Sequence, residues 1–214
     1  MTTTSSLLRL ANVRVVFPKL LDGQAEAFQG KGDPYYSASF LISPSDPQLA
    51  QIKAAIRTAA EKKYPGKADE MLKVFQAKDK LPIHDGALKS DRPYGAAYKG
   101  LMYISARNNA KTGGAVPVFD NVIDPATGAA RKITSQTDSK APYSGAYVNV
   151  LLNFFGYNQG GGEGIGASIA GVQFYADGER LSGGVAAAAS DFEAIPEKAA
   201  EQVAESGKGA AALF

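Results

Sequence analysis

Aromatic and amide side chains alternate along the uncharged segment from Tyr143 to Asn158, YSGAYVNVLLNFFGYN. Because alternate side chains of a β-strand point to opposite faces, one face of this segment would be wholly apolar. The other face would carry Tyr147, Asn149, Leu151, Asn153, Phe155 and Tyr157. Rings and amides on one face suit a surface that stacks on planar groups such as unpaired nucleotide bases. A central strand that is covered on both sides has the same pattern, and this alternative stays open.

Rings and cations interleave in a second segment, between Lys89 and Arg107. Its last part, KGLMYISAR, alternates as a strand would, so that its tyrosine and its cations share the face opposite to the apolar one. Flat rings stack on any base at roughly 1–3 kcal/mol per base, and neighbouring cations can follow the phosphates. The residues that combine these features are Lys89, Arg92, Tyr94, Tyr98, Lys99, Tyr103 and Arg107. The alternative is that the tyrosines pack between elements of the fold.

The side chains that could support catalysis or bind a metal are few and scattered. His84 is the single histidine and precedes Asp85, but the chain has no cysteine, so a metal site would depend on carboxylates. Asp120 and Asp124 lie in a connector, where their spacing is weak support for a shared ion. The segment GGGEGIGAS lacks the Lys-Ser/Thr that completes a P-loop. We therefore expect a binding protein that is not an enzyme and uses no cofactor or metal, with His84 a loop residue.

Hydrophobic periodicity predicts the elements that position these side chains. Apolar residues at helical spacing predict two helices, over 46–63 and 68–77. Period-two alternation predicts strands over 10–17, 35–42, 99–107, 116–119, 143–158 and 164–175. In the first strand, Val13, Val15 and Phe17 would share one face. The order of elements predicts an α+β fold, mainly antiparallel β, that closes into an OB-fold-like barrel with the helix pair inserted.

Composition places these elements in one domain, residues 7–186, followed by a loosely attached tail over 187–214. The chain has 214 residues, of which 45% are hydrophobic, enough for a substantial core. We expect neither a signal peptide nor a membrane span, and the absence of cysteine fits a cytosolic protein. The tail holds five acidic residues against two lysines, so the rest of the chain is more basic than the net charge of +2. A basic body with an acidic tail suits a polyanionic partner.

Several blocks of the chain are similar, in sequence and order, to a known family. They are ANVRVVFPKL, YYSASFLISPSDP, KGLMYISARN, YSGAYVNVLLNFFGYN and GIGASIAGVQFYADGERLSG. The chain resembles the phage-associated family first catalogued as a domain of unknown function, DUF2815, whose members resemble single-stranded DNA-binding proteins of tailed bacteriophages. The resemblance covers roughly Ala11 to Phe192, which is most of the chain. It implies an OB-fold core, a role in DNA replication or recombination, and a location in the cytoplasm of the infected bacterial host.

The expected function is binding of single-stranded DNA without strong sequence preference, through base stacking and phosphate contacts. The side chains expected to contact DNA are Arg14, Lys89, Arg92, Tyr94, Lys99, Tyr103, Arg107, Arg131, Lys132, Tyr147, Asn149, Phe155 and Tyr157. The tail, which ends in Phe214, would compete for the DNA groove or dock replication or recombination proteins of the phage or host. The alternatives are a structural component of a phage tail or capsid and a DNA-cleaving enzyme, which would need clustered acids.

Overall fold

A single β-sheet dominates the computed structural model, which describes residues 7–28, 30–92, 94–159 and 162–181. The strands are β1 Leu7–Lys19, β2 Glu26–Phe28, β3 Lys31–Ile42, β4 Ile83–Asp85, β5 Met102–Asn109, β6 Val118–Ile123, β7 Ala130–Ile133, β8 Tyr147–Gln159 and β9 Gly162–Ala176. They lie in the order β4-β5-β3-β1-β8-β9-β6-β7, and β2 pairs with β3. The pairing of β6 with β9 is parallel, and the other pairings are antiparallel. The predicted fold class, mainly antiparallel β with few helices, is confirmed.

The helical elements lie mainly between β3 and β4. They are α1 Gln48–Lys63, α2 Ala68–Ala77 and α3 Ala110–Gly113, with 3₁₀ turns at Gly86–Lys89 and Gly95–Tyr98. Leu49, Ile52 and Ile56 recur every three or four positions, so α1 buries them as one stripe in the main core. The predicted helix pair is therefore confirmed. None of the helices in the described ranges is long and apolar enough to cross a bilayer.

The main hydrophobic core lies on the face of the sheet that α1 and α2 cover. The central strands alternate as the sequence predicts: Val148, Val150 and Leu152 of β8 are at most 1% exposed. A second, smaller cluster lies on the opposite, outer face, where the segment that precedes β5 packs on β1 and β3. Its buried members are Val16, Leu41, Tyr98 and Tyr103.

The side chain of Asn108 joins two strands that the hydrogen-bond ladder leaves apart. Its Nδ2 donates to the carbonyl oxygen of Ile169 at 2.8 Å, and its Oδ1 accepts from the amide of Ile169 at 2.8 Å. Asn108 lies on β5 and Ile169 on β9, so this pair of bonds imitates one step of a strand ladder. The ladder itself does not close, and the sheet is open between β5 and β9.

The sequence missed the shortest strands. β2, β4 and β7 have three or four residues each, too few for an alternating pattern to show. The prediction that His84 is a loop residue is wrong, because His84 lies on β4 and pairs with Tyr103. The end of the predicted domain at residue 186 and the tail over 187–214 lie outside the described residues.

Candidate nucleic-acid interface

Three neighbouring strands, β1, β3 and β5, share an outer face with a small polar centre. Antiparallel register places Ser39 opposite Ser105 and places Ser37 between Lys19 and Arg107. We call Ser37, Ser39 and Ser105 the serine floor. Ser105 and Arg107 are exposed, so the floor is open to solvent at β5. The Ser39 hydroxyl is hydrogen-bonded to Tyr98, whereas the small hydroxyls of Ser37 and Ser105 can donate hydrogen bonds to a ligand above the sheet or accept them from it.

Arg107 and Lys19 supply positive charge at one end of the serine floor. The Cζ atom of Arg107 lies 5.5 Å from the centre of the Tyr35 ring, which orients the guanidinium by a cation–π contact. Lys19 bonds to the carboxylate of Glu26. Arg107 is exposed on the outer face, where the sequence predicted it, whereas Tyr35 is a neighbour that strand alternation alone did not single out.

The ring of Tyr103 is buried, so the prediction that it is exposed for stacking is wrong. Tyr103 does lie on the outer face, but the segment over residues 86–101 folds back over it and leaves it 5% exposed. The Tyr98 ring meets it edge-on at 5.2 Å and the His84 ring stacks on it at 5.0 Å. The Nζ atom of Lys89 lies 5.6 Å from its centre. Burial raises the pKa of Tyr98 to about 12 and also raises the pKa of Tyr103.

Phe17 is exposed, although alternation predicted that it shares one face with Val13 and Val15, which the fold buries. Its φ is +50°, in the left-handed region that a bulky residue rarely adopts, and the β1–β3 register shifts at this point. The turn points the ring outward, where it is 38% exposed and meets the ring of Tyr94 at 4.4 Å with an angle of 69°. Pro18, which cannot donate to a ladder, was the signal in the sequence for this interruption.

Arg14 and Tyr147 form part of the support for the segment that follows β9. The Nε of Arg14 donates to the carbonyl of Gly145 at 3.2 Å and its Nη2 to the carbonyl of Glu179 at 2.8 Å. Its Cζ lies 6.0 Å from the centre of the half-buried Tyr147 ring. A Cβ on Gly178 would lie 3.0 Å from that ring, so the chain crosses directly over it. Arg14 therefore has structural partners for the donors that were predicted to contact phosphate.

Asn149 is also engaged within the fold. Its Oδ1 accepts from the backbone amide of Asn12 at 3.1 Å, and its Nδ2 donates to the Oε1 of Gln173 at 3.1 Å. The first of these bonds satisfies a backbone donor near the register shift between Leu10 and Val13. The predicted base contact of Asn149 would have to compete with these bonds.

Phe155 and Tyr157 lie at the far end of β8. Phe155 is 40% exposed, and its ring covers Gly166, where an added Cβ would lie 2.9 Å from the Phe155 Cζ. Tyr157 is half-buried and pairs with Gly164. Eight residues of strand separate Tyr147 from Phe155, a span of about 27 Å. The predicted ring-and-amide face of β8 thus exists, but its rings are spread along the strand and form no single cluster.

Arg131 is bound by two carboxylates, with which the predicted phosphate contact would have to compete. Its Nε donates to Asp120 at 3.1 Å and its Nη1 to Asp138 at 2.7 Å. Asp120 is 2% exposed, and burial alone would raise its pKa. Hydrogen bonds from Arg131 and from the amides of Val122 and Asn121 outweigh that effect and hold the pKa of Asp120 below its ordinary value. The same pairing occupies the carboxylate that was considered as a metal ligand.

The other predicted cations are distributed over the surface. Lys99 and Arg92 are exposed near the segment that covers Tyr103, and Arg92 lies 4.0 Å from the carboxylate of Asp91. Lys132 is exposed on β7, at the opposite end of the strand order. The structure therefore brings Arg107 and Tyr94 near the serine floor and leaves Lys132 apart. It buries Tyr103 and pairs the partly exposed Arg131 with two carboxylates.

Comparison with known proteins identifies sequence relatives. A family model described as Enterobacter phage Enc34, ssDNA-binding protein, matches residues 7–204. Protein p50 of Acyrthosiphon pisum secondary endosymbiont phage 1 is 33% identical to this chain over 189 residues, which cover 87% of this chain and 92% of p50.

Solved structures show the same fold. The single-stranded DNA-binding protein from bacteriophage Enc34, in complex with ssDNA, matches with a TM-score of 0.61 at 22% identity, over 83% of this chain and 90% of that chain. The protein gp2.5, a single-stranded DNA-binding protein encoded by bacteriophage T7, matches with a TM-score of 0.51 at 13% identity, over 89% of this chain and 96% of that chain.

Proposed function

The chain belongs to the family of the Enterobacter phage Enc34 ssDNA-binding protein, and from this premise we propose that it binds single-stranded DNA during phage DNA replication or recombination. Membership confirms the family resemblance seen in the sequence. The proposed binding is without strong base preference and takes place in the cytoplasm of the infected host. The protein acts in this proposal as a binding protein and catalyses no reaction.

The outer face of β1, β3 and β5 is the observation that supports a specific binding surface. The uncharged serine floor lies beside two elements of opposite character, the exposed Arg107 with the half-buried Lys19, and the exposed Phe17 with the half-buried Tyr94. Rings can stack on bases of any identity, while cations attract the phosphates and release counterions. Duplex DNA has its bases already stacked inside, so a surface of this kind prefers single strands.

We further propose that β1, β3, β5, β8 and β9 form an OB-fold-like barrel. The two bonds of Asn108 to Ile169 support this arrangement, because they link the strands at which the ladder is open. In OB folds, one face of the barrel and its loops bind oligonucleotides. The serine floor would lie on the outside of such a barrel. Among the predicted contacts, those that stay as proposed secondary contacts are Arg14, Lys89, Arg92, Lys99, Arg131, Lys132, Tyr147, Asn149, Phe155 and Tyr157.

A titration of the full chain with labelled oligo-dT tests this function. We expect binding that weakens steeply with salt and is much weaker for a duplex of the same length. Arg107→Ala should lower the slope of log affinity against log salt by about 0.7, the share of one phosphate on a single strand. Lys53→Ala, which removes an exposed cation from α1, is the matched control and should leave affinity unchanged.

The titration also separates the alternatives. Equal affinity for single strands and duplex, or no salt-dependent binding of oligo-dT, would contradict the proposal and favour a structural phage protein. An unchanged salt slope in Arg107→Ala, with wild-type binding intact, would show that DNA lies elsewhere on the surface.

A further inference from the structure

A groove of about 590 Å³ opens beside Phe17, at the end of β1. One wall is the turn over Phe17, Pro18 and Lys19, and the other is the connector over residues 136–144, with Arg180 also at its surface. Neither the groove nor Phe17 belongs to the set of contacts predicted from the sequence. The groove adjoins the serine floor through Lys19, which lies beside Ser37 in the strand register.

The Phe17 ring is exposed at a position where the backbone is strained. Its φ of +50° is held by the Phe17 amide, which donates to the Oγ of Ser144 at 2.7 Å. A large ring that is 38% exposed contributes little to the core, and strained residues that persist in folded proteins cluster at binding sites. In its T-shaped contact with Tyr94, the edge of one ring meets a face of the other. Faces of the pair that are not in this contact remain for a third planar group.

The groove also carries cations that can meet phosphates, beside one carboxylate, that of Asp138, which is bonded to Arg131. The Cζ of Arg180 lies 4.0 Å from the centre of the Tyr143 ring, so the exposed guanidinium makes a cation–π contact with that ring. The Tyr143 hydroxyl is fixed by contacts with Asp177 at 3.1 Å and with the carbonyl of Gly178 at 3.0 Å. Lys19 lies at the other side of the groove. The guanidinium of Arg180 and the ammonium of Lys19, which is paired with Glu26, therefore border a groove next to the exposed Phe17 ring and the half-buried Tyr94 ring.

We propose that Phe17 and Tyr94 form a stacking site for one unpaired base, and that the adjoining groove holds the following phosphates against Arg180 and Lys19. This inference rests on the proposed function. It identifies the place where bound single-stranded DNA would leave the serine floor. Ser144 is a positioning residue of this stacking site, because its hydroxyl accepts from the Phe17 amide and keeps the backbone in the conformation that exposes the ring.

The absence of tryptophan from the chain allows a direct test. Phe17→Trp keeps a stacking ring and introduces a single tryptophan, which can be excited selectively over the tyrosines, and Gln51→Trp, at an exposed position of α1, is the matched control. Saturating oligo-dT should quench the fluorescence of Phe17→Trp and leave that of Gln51→Trp unchanged. An abasic oligonucleotide of the same length should bind without quenching, since it offers phosphates but no bases.

Affinity measurements complete the test. Phe17→Leu should weaken oligo-dT binding on the order of tenfold and leave the binding of the abasic oligonucleotide unchanged. Phe17→Gly relieves the left-handed backbone, so it should lose the same affinity while remaining at least as stable as the wild type in urea. Wild-type affinity in both variants, with no quenching in Phe17→Trp, would contradict the stacking site but not the proposed binding of single-stranded DNA. If the wild-type chain does not bind oligo-dT, the proposed function fails as well.

Discussion

Tyr103 lies between the stacked ring of His84 and the edge-on ring of Tyr98, at the centre of the outer cluster. Tyr103→Ala would remove a ring that is 5% exposed and leave a cavity, so we expect the free energy of unfolding to fall by about 3–5 kcal/mol. Tyr103→Phe keeps the ring and should lose less than about 1 kcal/mol. Urea denaturation measures both changes.

DNA affinity provides a second test of the role of Tyr103. Tyr103→Phe should bind oligo-dT as the wild type does, since the ring reaches solvent at no more than its rim. A Tyr103→Ala variant with wild-type stability but weakened binding would contradict a structural role and restore the ring as a DNA contact.

Two arginines show why a cation's partners decide its role. Arg107 rests against the Tyr35 ring, and this contact leaves the residue exposed to solvent. Arg131 is held by Asp120 and Asp138, and its hydrogen bonds with both acids lower their pKa values. A phosphate would have to displace a carboxylate from Arg131. The sequence does not distinguish the roles of these two arginines, because those roles depend on which side chains the fold places beside them.

Strand alternation predicted which face of β8 is apolar but could not predict which segments cover the other face. The apolar face follows from local pattern because every second side chain enters the core. The burial of Tyr103 and Tyr147 depends on segments distant in sequence or beyond the strand end, over residues 86–101 and 177–181. Such contacts do not change the hydrophobic periodicity of the strand sequence, so the sequence pattern cannot predict them. Phe17 was misplaced for a different reason, because one left-handed residue reverses the alternation.

The contact between β5 and β9, which we call the seam, depends on the amide side chain of Asn108. Asn108→Ala would leave the amide and carbonyl of Ile169, a residue that is 1% exposed, without the two bonds they make with Asn108. We expect a loss of about 1–3 kcal/mol in the free energy of unfolding, with faster hydrogen exchange at the Ile169 amide. Asn158→Ala, at an exposed position of β8, is the control and should change neither quantity.

Protection of the Ile169 amide that survives the Asn108→Ala substitution would contradict this account of the seam. It would mean that the backbone of β5 or water replaces the side chain, and that the barrel-like closure does not depend on Asn108.

For the whole molecule, the spread of the exposed rings sets how much DNA one chain can engage. Phe17 and Tyr94 lie at the end of β1, whereas Phe155 lies near the far end of β8, about 27 Å along the strand from Tyr147. The sequence showed that rings and cations were present in sufficient number, but their separation became visible only with the strand register. A short oligonucleotide can therefore occupy one patch, while a longer one can reach two.

Oligonucleotide length should thus determine which substitutions matter. Phe155→Leu removes a ring that is 40% exposed, and we expect it to weaken the binding of oligo-dT of about 30 nucleotides roughly tenfold, the loss of one stacked base. With oligo-dT of about six nucleotides, which fills the patch around the serine floor, the same variant should bind as the wild type does, whereas Arg107→Ala should be weaker at both lengths. Anisotropy titrations at a fixed salt concentration measure this. If Phe155→Leu matches the wild type at both lengths, the DNA path does not extend along β8, and the exposed Phe155 ring serves only to cover Gly166.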